Sequence, residues 1–282
     1  MKLARVRYGA DIHLARMEGD HAVLLAVESD APRSDVMIDA IATHALFAGD
    51  GERVAKDDIE LQAPVRRPGK IVAIGLNYAD HAGESDMELP KAPLVFSKPS
   101  SAIVGPGEPV RWLGSDCREP DYEAELAVVI GTTAVGTVTD PLSHVFGYTC
   151  CNDFSARDAQ FGDGQWVRGK SFDTFCPLGP WIVTADEFGD PQNHQIGIDV
   201  TDPQGTTSRL QDGNTQQMIF GVAEIISYVA RFMTLEPGDV IATGTPDGVG
   251  FARKPPRYMT NGDVMTVWID GIGELTNPCV VA

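Results

Sequence analysis

Residues 121–131 have the composition of a buried strand, apart from two glutamates. Glu123 and Glu125 are two positions apart, so in a strand they project from one face together with Asp121, at a spacing of about 6–7 Å. Like charges on an apolar sheet are costly unless a cation meets them. The segment therefore predicts either a strand that brings its acids to a divalent metal or an exposed strand whose acids face solvent.

A third acid lies where it could complete a metal site. Asp153 follows an apolar strand predicted over residues 145–151, and ligands commonly emerge at strand ends. With Glu123 and Glu125 it gives three carboxylates, enough to hold Mg²⁺, or else Mn²⁺ or Ca²⁺, with water and substrate supplying further oxygens. Asp121 is predicted to be an extra ligand or a residue that supports the ligands.

The chain after residue 70 is rich in short apolar segments separated by glycines and prolines. This pattern predicts a β-sandwich, roll or barrel rather than a βαβ repeat. Two helices are also expected. One begins at Asp140-Pro141, where an N-cap residue precedes proline, and the other places an apolar stripe over residues 222–232.

The N-terminal region has a different pattern. Residues 1–60 are predicted to form a small α/β unit with a strand over 22–27 and a helix over 35–47. Residues 62–69 contain two prolines and a glycine, which is typical of a linker. A chain of 282 residues can hold one large domain or a catalytic domain with a smaller one attached.

The formal net charge of -18, from 40 acidic and 22 basic residues, argues against a nucleic acid or an anionic membrane as partner. Apolar segments are too short to span a bilayer and no secretion signal is recognised, so a cytoplasmic location is expected. The five cysteines are odd in number and lack CxxC spacing, which favours buried reduced thiols over a catalytic or zinc-binding role.

Residues 75–84 follow a predicted strand and contain a candidate acid–base pair. If residues 78–84 are helical, His81 and Glu84 are neighbours on one face. A carboxylate beside an imidazole orients the ring and raises its basicity, as is needed to deprotonate water. The alternative is an ordinary surface contact.

Two further segments carry candidate substrate-binding residues. Arg157, Gln160 and Lys170 could hold an anionic substrate beside a carboxylate-bound metal, although a solvated lysine is the alternative. Gly244 and Thr245 begin a glycine-rich loop whose backbone N–H groups could approach a ligand closely. That loop lacks the lysine of a P-loop, so phosphate binding is not predicted, and a tight turn between strands is the alternative.

Taken in order, these segments resemble the fumarylacetoacetate hydrolase family, in particular its FAH-domain-containing, acylpyruvase-like subgroup. The resemblance extends from about residue 70 to residue 278. The matching motifs are Gly75-Leu76-Asn77-Tyr78 with His81 and Glu84, Ser97-Lys98-Pro99, Glu123-x-Glu125-Leu126, Asn152-Asp153-x-Ser155-x-Arg157-Asp158, Gly169-Lys170-Ser171-Phe172-Asp173, Pro237-Gly238-Asp239-Val240-Ile241 and Gly244-Thr245-Pro246.

The resemblance implies an α+β, β-rich fold. A mixed β-roll catalytic domain would occupy residues 70–282, with a small N-terminal domain over 1–62, and the protein would be a homodimer. It also implies that Glu123, Glu125 and Asp153 hold the metal. His81 and Glu84 would lie on a lid over the substrate, and Lys170 would contact the oxo-acid end of a small anionic substrate.

The expected reaction is metal-dependent hydrolysis of a carbon–carbon bond in a 2,4-dioxo acid, an acylpyruvate or a 2,4-dioxo-3-deoxy sugar acid, through a pyruvate enolate. Family members also decarboxylate oxaloacetate and isomerise or decarboxylate products of aromatic-ring breakdown, and the motifs are compatible with these reactions. A non-catalytic metal-binding relic of the fold is a further alternative.

Overall fold

The computed structural model describes residues 1–29, 31, 34–43, 47, 49–84 and 89–282, and the side chains of residues 81, 82 and 163 are not among the described parts. Two sheets dominate the described chain. Most pairings between neighbouring strands are antiparallel, with three parallel pairs. The β-rich α+β fold expected from the sequence is confirmed.

The first four strands form an antiparallel meander, in which each strand pairs with the next. They are β1 (Lys2–Tyr8), β2 (Asp11–Glu18), β3 (His21–Val27) and β4 (Glu52–Ala55), followed by the short β5 (Glu60–Gln62), which pairs with β1. Helix α1 (Val36–Thr43) buries Met37 and Ile41 in a core shared with Leu3 and Leu14. The predicted helix over 35–47 is thus present, although residues 44–46 lie outside the described residues.

The main sheet continues beyond this meander, because β1 also pairs with β14 through Lys2↔Val183 and Leu3↔Ile182. Its order is β4-β3-β2-β1-β14-β12-β11-β17-β6-β7, with β5 beside β1 and β8 beside β14. The added strands are β6 (Ile71–Gly75), β7 (Leu94–Lys98), β8 (Ile103–Val104), β11 (Ala124–Ile130), β12 (Val145–Asn152), β14 (Cys176–Thr184) and β17 (Val240–Ala242). The N-terminal strands therefore extend the main sheet, and the division into domains over 1–62 and 70–282 stays a prediction.

A second sheet of five strands has the order β16-β15-β18-β19-β9. Its strands are β9 (Val110–Trp112), β15 (Gln195–Thr201), β16 (Thr207–Asn214), β18 (Val264–Ile269) and β19 (Gly273–Val281), and a separate pair joins β10 (Pro120–Asp121) to β13 (Ser155–Ala156).

Strand β11 is buried along its whole length and has a core on each face. Leu126, Val128 and Ile130 pack in the core that contains Val267 of the second sheet, whereas Ala127 and Val129 belong to the core under α1. Because side chains alternate along a strand, Glu125 shares the face of Ala127 and Val129. An acid therefore lies at the buried start of a central strand.

The remaining α-helices are short: α2 (Ala79–Glu84), α3 (Arg157–Asp163), α4 (Trp166–Lys170), α5 (Ala185–Phe188) and α6 (Val222–Ala230). Helix α6 matches the predicted apolar stripe but ends at Ala230, so Phe232, expected on that stripe, lies beyond the helix and is exposed. The helix expected at Asp140-Pro141 is a single 3₁₀ turn, Pro141–His144.

All five cysteines are buried and free, as predicted. No helix in the described part of the chain is long and apolar enough to cross a membrane.

Candidate metal centre and active site

The three predicted acidic ligands converge where β11 and β12 lie side by side. Ala124 is paired with Asn152, which places Glu123 next to Asp153, and the Asp153 N–H donates to the Glu123 carbonyl at 2.9 Å. One carboxylate oxygen of each of Glu123, Glu125 and Asp153 lies within 4.8 Å of the others, and all three residues are buried. We call these three residues the acid cluster.

Two members of the acid cluster are paired with buried cations. The Lys170 Nζ donates to Glu123 Oε2 at 2.7 Å and to Asp153 Oδ2 at 2.9 Å. The other oxygen of Glu123 lies 2.7 Å from Arg157 Nη2, and the other oxygen of Asp153 accepts from Lys98 Nζ at 2.5 Å. These contacts stabilise two ionised carboxylates in the interior, where an unpaired charge would be costly.

Glu125 has a different environment. Within the described residues no cation is in ion-pair contact with it, and its Oε2 accepts from the Gly244 N–H at 2.9 Å. Burial, and then the charges of Asp153 and Glu123, raise the pKa of the Glu125 carboxyl well above its usual range. Gly244 has φ of +96°, and a Cβ there would lie 2.7 Å from Asn77 Cβ, so the contact with Glu125 depends on glycine.

The acid cluster suits a divalent cation with oxygen ligands. Three convergent carboxylates are the donors that Mg²⁺, Mn²⁺ and Ca²⁺ prefer, and such an ion would supply the opposite charge that Glu125 lacks. Each carboxylate oxygen that accepts from a cation keeps a second lone pair for coordination. The donor set does not distinguish among the three metals.

Because the pKa of Glu125 is raised, we expect metal affinity to depend on pH. A metal must displace the proton of this carboxyl, so Mn²⁺ affinity should fall as the pH falls below its pKa, by up to about tenfold per pH unit. Isothermal titration calorimetry in buffers of different ionisation enthalpy should show proton release on binding. An affinity that stays constant as the pH rises above the usual carboxylate range, without proton release, would contradict this description of Glu125.

Lys98 belongs to one of the matching motifs, but the sequence analysis predicts no role for it. It ends the apolar strand β7, its side chain is fully buried, and besides Asp153 it donates to the Phe154 carbonyl at 3.2 Å. Lys98 therefore holds one oxygen of Asp153 and the backbone that follows it. The available signal was a lysine at the end of an apolar strand, immediately before proline.

Replacing Lys98 by methionine should lower the free energy of unfolding by about 3–5 kcal/mol, because the Asp153 carboxylate would lose a buried partner. Urea denaturation of the metal-free protein measures this change, and Lys91→Met, at an exposed lysine, provides the matched control. A loss below about 1 kcal/mol would mean that the Lys98–Asp153 pair is not important for stability.

Arg157 and Gln160 lie on helix α3 and are both buried. Arg157 Nη1 donates to Gln160 Oε1 at 3.0 Å, and its Nε donates to Asp121 Oδ2 at 2.8 Å. Asp121 also accepts from the N–H groups of Gly250 and Phe251 at 2.7 and 3.1 Å. Of the two roles predicted for Asp121, this geometry supports the second, because the residue fixes Arg157 beside the acid cluster.

Helix α2 lies against the glycine-rich loop. Glu84 Oε2 accepts from the Gly248 N–H at 2.9 Å. The chain enters this region through Leu76, which has φ of +52°, and Asn77, whose amide donates to the Thr243 carbonyl at 2.8 Å. The side chain of His81 lies outside the described residues, so its pairing with Glu84 stays a prediction.

Thr245, another predicted substrate-binding residue, is buried. Its hydroxyl accepts from Gln211 Nε2 at 2.8 Å, and Gln211 Oε1 accepts from the Ala124 N–H at 2.9 Å. Gln211 therefore links the loop to the start of β11. No local sequence pattern indicates this role, because Gln211 comes from a strand of the second sheet.

A small cavity of about 40 Å³ lies beside the acid cluster. The predicted residues that line it are Glu123, Glu125, Arg157, Gln160, Lys170 and Thr245, whereas Asp153 and Gly244 lie behind this surface. Four aromatic side chains, which we call the aromatic wall, also line it: Phe96, Phe161, Trp166 and Phe251. The sequence analysis did not identify the aromatic wall, although Phe161 adjoins Gln160.

Comparison with known proteins connects this site to enzymes. The sequence-family model described as fumarylacetoacetate (FAA) hydrolase C-terminal matches residues 70–280. A mitochondrial oxaloacetate tautomerase of Xenopus laevis is 45% identical over 230 residues, which cover 80% of this chain and 70% of that protein. The 2,4-didehydro-3-deoxy-L-rhamnonate hydrolase of Sphingomonas sp. (strain SKA58) is 44% identical over 257 residues, covering 88% of each.

A solved structure shows the same fold. The fumarylacetoacetate hydrolase of the psychrophile Exiguobacterium antarcticum superimposes with a TM-score of 0.87 at 38% identity, and the alignment covers 100% of both chains. The similarity therefore includes the N-terminal strands as well as residues 70–280.

Proposed function

Because the chain belongs to the fumarylacetoacetate hydrolase family, we propose that it is a metal-dependent enzyme that hydrolyses a carbon–carbon bond in a 2,4-dioxo acid. The observation that carries the proposal is the acid cluster at one end of a cavity, with Lys170 and Arg157 at the same end. Acylpyruvates and 2,4-dioxo-3-deoxy sugar acids are the proposed substrates, and identity to the Sphingomonas hydrolase supports the second group.

Glu123, Glu125 and Asp153 would hold Mg²⁺ or Mn²⁺, which when bound would act as a Lewis acid toward the oxygens of the 2-oxo acid. Lys170 would face the carboxylate end of the substrate. Burial alone would lower the pKa of Lys170, but Asp153 and Glu123 raise it, so the side chain stays protonated and keeps its positive charge. Arg157 provides a second fixed charge at the same end of the cavity.

The hydrolytic step needs an activated water. In the proposal, His81, oriented by Glu84, takes a proton from water, and the hydroxide adds to the C4 carbonyl. The C3–C4 bond then breaks, its electron pair passes to the pyruvate fragment as an enolate, and a proton returns to C3. The products are pyruvate and the carboxylic acid of the distal fragment.

Oxaloacetate chemistry is the second candidate, favoured by 45% identity to a relative named as an oxaloacetate tautomerase. Tautomerisation and decarboxylation pass through the same kind of enolate but need no attacking water. Isomerisation or decarboxylation of aromatic-degradation intermediates likewise needs no attacking water. A non-catalytic metal-binding relic stays the least favoured alternative, because the acid cluster and both cations are present.

A substrate panel tests the proposal. Purified protein with Mg²⁺ or Mn²⁺ is incubated with acetylpyruvate, a 2,4-dioxo-3-deoxy sugar acid or oxaloacetate, while pyruvate, CO₂ and enol absorbance are followed. Pyruvate from the first two, without CO₂, is the expected result. Enol–keto interconversion or CO₂ release from oxaloacetate alone would establish the second candidate instead.

The proposal includes a homodimer and a cytoplasmic location, with no nucleic-acid or membrane partner. Light scattering of the purified protein and fractionation of the source cells test these two points. The curated relative from Xenopus is named as mitochondrial, so fractionation should include organelles where the source has them.

A further inference from the structure

We infer that the substrate carries charge only at its oxo-acid end, and that its distal part is uncharged and packs on the aromatic wall. This inference rests on the proposed function and deepens it. Two features of the cavity support it: the charges of its buried residues and the aromatic side chains that lie beside them.

With a divalent ion bound, one negative charge of the substrate would neutralise the inner end of the cavity. Among the described residues, four buried carboxylates meet three buried cations here: Asp121, Glu123, Glu125 and Asp153 against Lys98, Arg157 and Lys170. With all four carboxylates ionised the set carries one net negative charge, which a divalent ion would turn into one net positive charge. A single substrate carboxylate neutralises that charge, whereas a second one would not be balanced.

The aromatic wall extends from the buried cations to the surface. Lys170 Nζ lies 5.3 Å from the centre of the Phe96 ring and Arg157 lies 4.6 Å from that of Phe251, whereas Phe161 is 57% exposed. Phe161 and Phe251 meet edge to face with ring centroids 5.5 Å apart, and Phe96 and Trp166 meet in the same way at 5.5 Å. Gly75 gives Trp166 its place, because a Cβ there would lie 2.1 Å from Trp166 Cζ3. The four rings therefore pack in two edge-to-face pairs along the cavity.

No cation is available to a second carboxylate in the described lining of the cavity. The cations of that lining are Arg157 and Lys170, and both already contact Glu123 at the inner end. Against the described lining, a distal carboxylate would lose water to aromatic rings without gaining a cationic partner.

An uncharged distal group would instead bury its surface on the rings. The acyl group of an acylpyruvate or the apolar face of a deoxy sugar chain fits this description. The second carboxylate of oxaloacetate does not. The inference therefore favours the hydrolase substrates over oxaloacetate as ligands of this cavity.

The test measures binding of two unreactive acids that differ only in the distal group, 2-oxohexanoate and 2-oxohexanedioate. Calorimetry with Mn²⁺-loaded protein should give an affinity at least about tenfold higher for 2-oxohexanoate, as expected when a carboxylate is desolvated without a partner. The readout is affinity, so it does not depend on finding the reaction.

The variants Phe161→Ala and Phe161→Arg test whether the difference in affinity arises at the aromatic wall. Phe161 is 57% exposed and Phe232, which does not line the cavity, is 58% exposed, so Phe232→Ala is a matched control. Phe161→Ala should weaken 2-oxohexanoate about three- to tenfold, and Phe161→Arg should bring the two affinities together or reverse them. Phe232→Ala should change neither.

The possible results distinguish failure of this inference from failure of the proposed function. Equal affinities for the two acids, or tighter binding of 2-oxohexanedioate, would overturn the inference and leave the proposed function standing. Failure of both acids to bind in the presence of Mn²⁺ would overturn both.

Discussion

Replacing Glu125 by glutamine is expected to lower Mn²⁺ affinity and kcat/KM for the cleaved oxo acid by about 10³-fold or more. The change removes one of the three carboxylates proposed to hold the metal, together with the charge that the metal would neutralise. Glutamine has nearly the same shape, and its amide oxygen can still accept from the Gly244 N–H. Calorimetry with Mn²⁺ and steady-state kinetics measure the two losses.

The stability of the same variant distinguishes a lost ligand from a damaged fold. Burial and the neighbouring acids raise the pKa of Glu125 in the folded protein, so the native state binds this proton more tightly than the unfolded state does. The metal-free protein therefore loses stability as the pH rises from the usual carboxylate range through the raised pKa. At neutral pH, metal-free Glu125→Gln should be at least as stable as the wild type, since glutamine carries no charge.

Added Mn²⁺ should raise the melting temperature of the wild type and leave that of Glu125→Gln unchanged. Glu224→Gln, at an exposed acid of α6, is the matched control and should behave as the wild type does. A Glu125→Gln protein that binds Mn²⁺ as well as the wild type would remove Glu125 from the metal site.

Replacing Lys170 by methionine is the second change with a large expected effect, a loss of about 10²–10³-fold in kcat/KM. Lys170 donates to both Glu123 and Asp153 and lines the cavity. In the proposed complex its charge would face the reacting end of the substrate. Mn²⁺ binding should persist, because the methionine variant keeps all three carboxylates and gains negative charge at the site. A variant that lost activity only in proportion to its Mn²⁺ affinity would make Lys170 a support for the acid cluster rather than a substrate contact.

Lys170→Arg tests whether position matters as well as charge. The planar guanidinium cannot donate to Glu123 and Asp153 from the single point that the ammonium nitrogen occupies. Activity should therefore stay low in this variant, whereas Lys91→Arg, at an exposed lysine, should keep wild-type kcat/KM.

The acid cluster could be predicted from the sequence because its members lie next to strands with strong patterns. Glu123 immediately precedes an apolar strand, Glu125 lies near the start of that strand, and Asp153 follows another strand. The alternation of side chains along each strand therefore predicts where these acids lie. The pairing of β11 with β12 then brings the acids together. The β-rich fold follows from the same alternation of short apolar segments with glycine and proline.

Other parts of the site depend on contacts between segments that are distant in the chain. Lys98 meets Asp153 across 55 residues, and Gln211 meets the Ala124 N–H across 87. The position of Lys98 before proline marks the residue but not its partner, and Gln211 does not differ locally from an ordinary polar residue of a strand. The aromatic wall also has no sequence pattern, because its members come from β7, α3, α4 and the loop after β17. Such contacts are set by the fold and become visible only in three dimensions.

The most direct test of the central claim is a crystal structure of the protein soaked in Mn²⁺, with anomalous diffraction measured at the manganese edge. We expect one anomalous peak bounded by oxygens of Glu123, Glu125 and Asp153, at about 2.0–2.3 Å from each. A crystal that binds Mn²⁺ elsewhere, or shows no peak while Glu125 stays uncoordinated at saturating metal, would contradict the account.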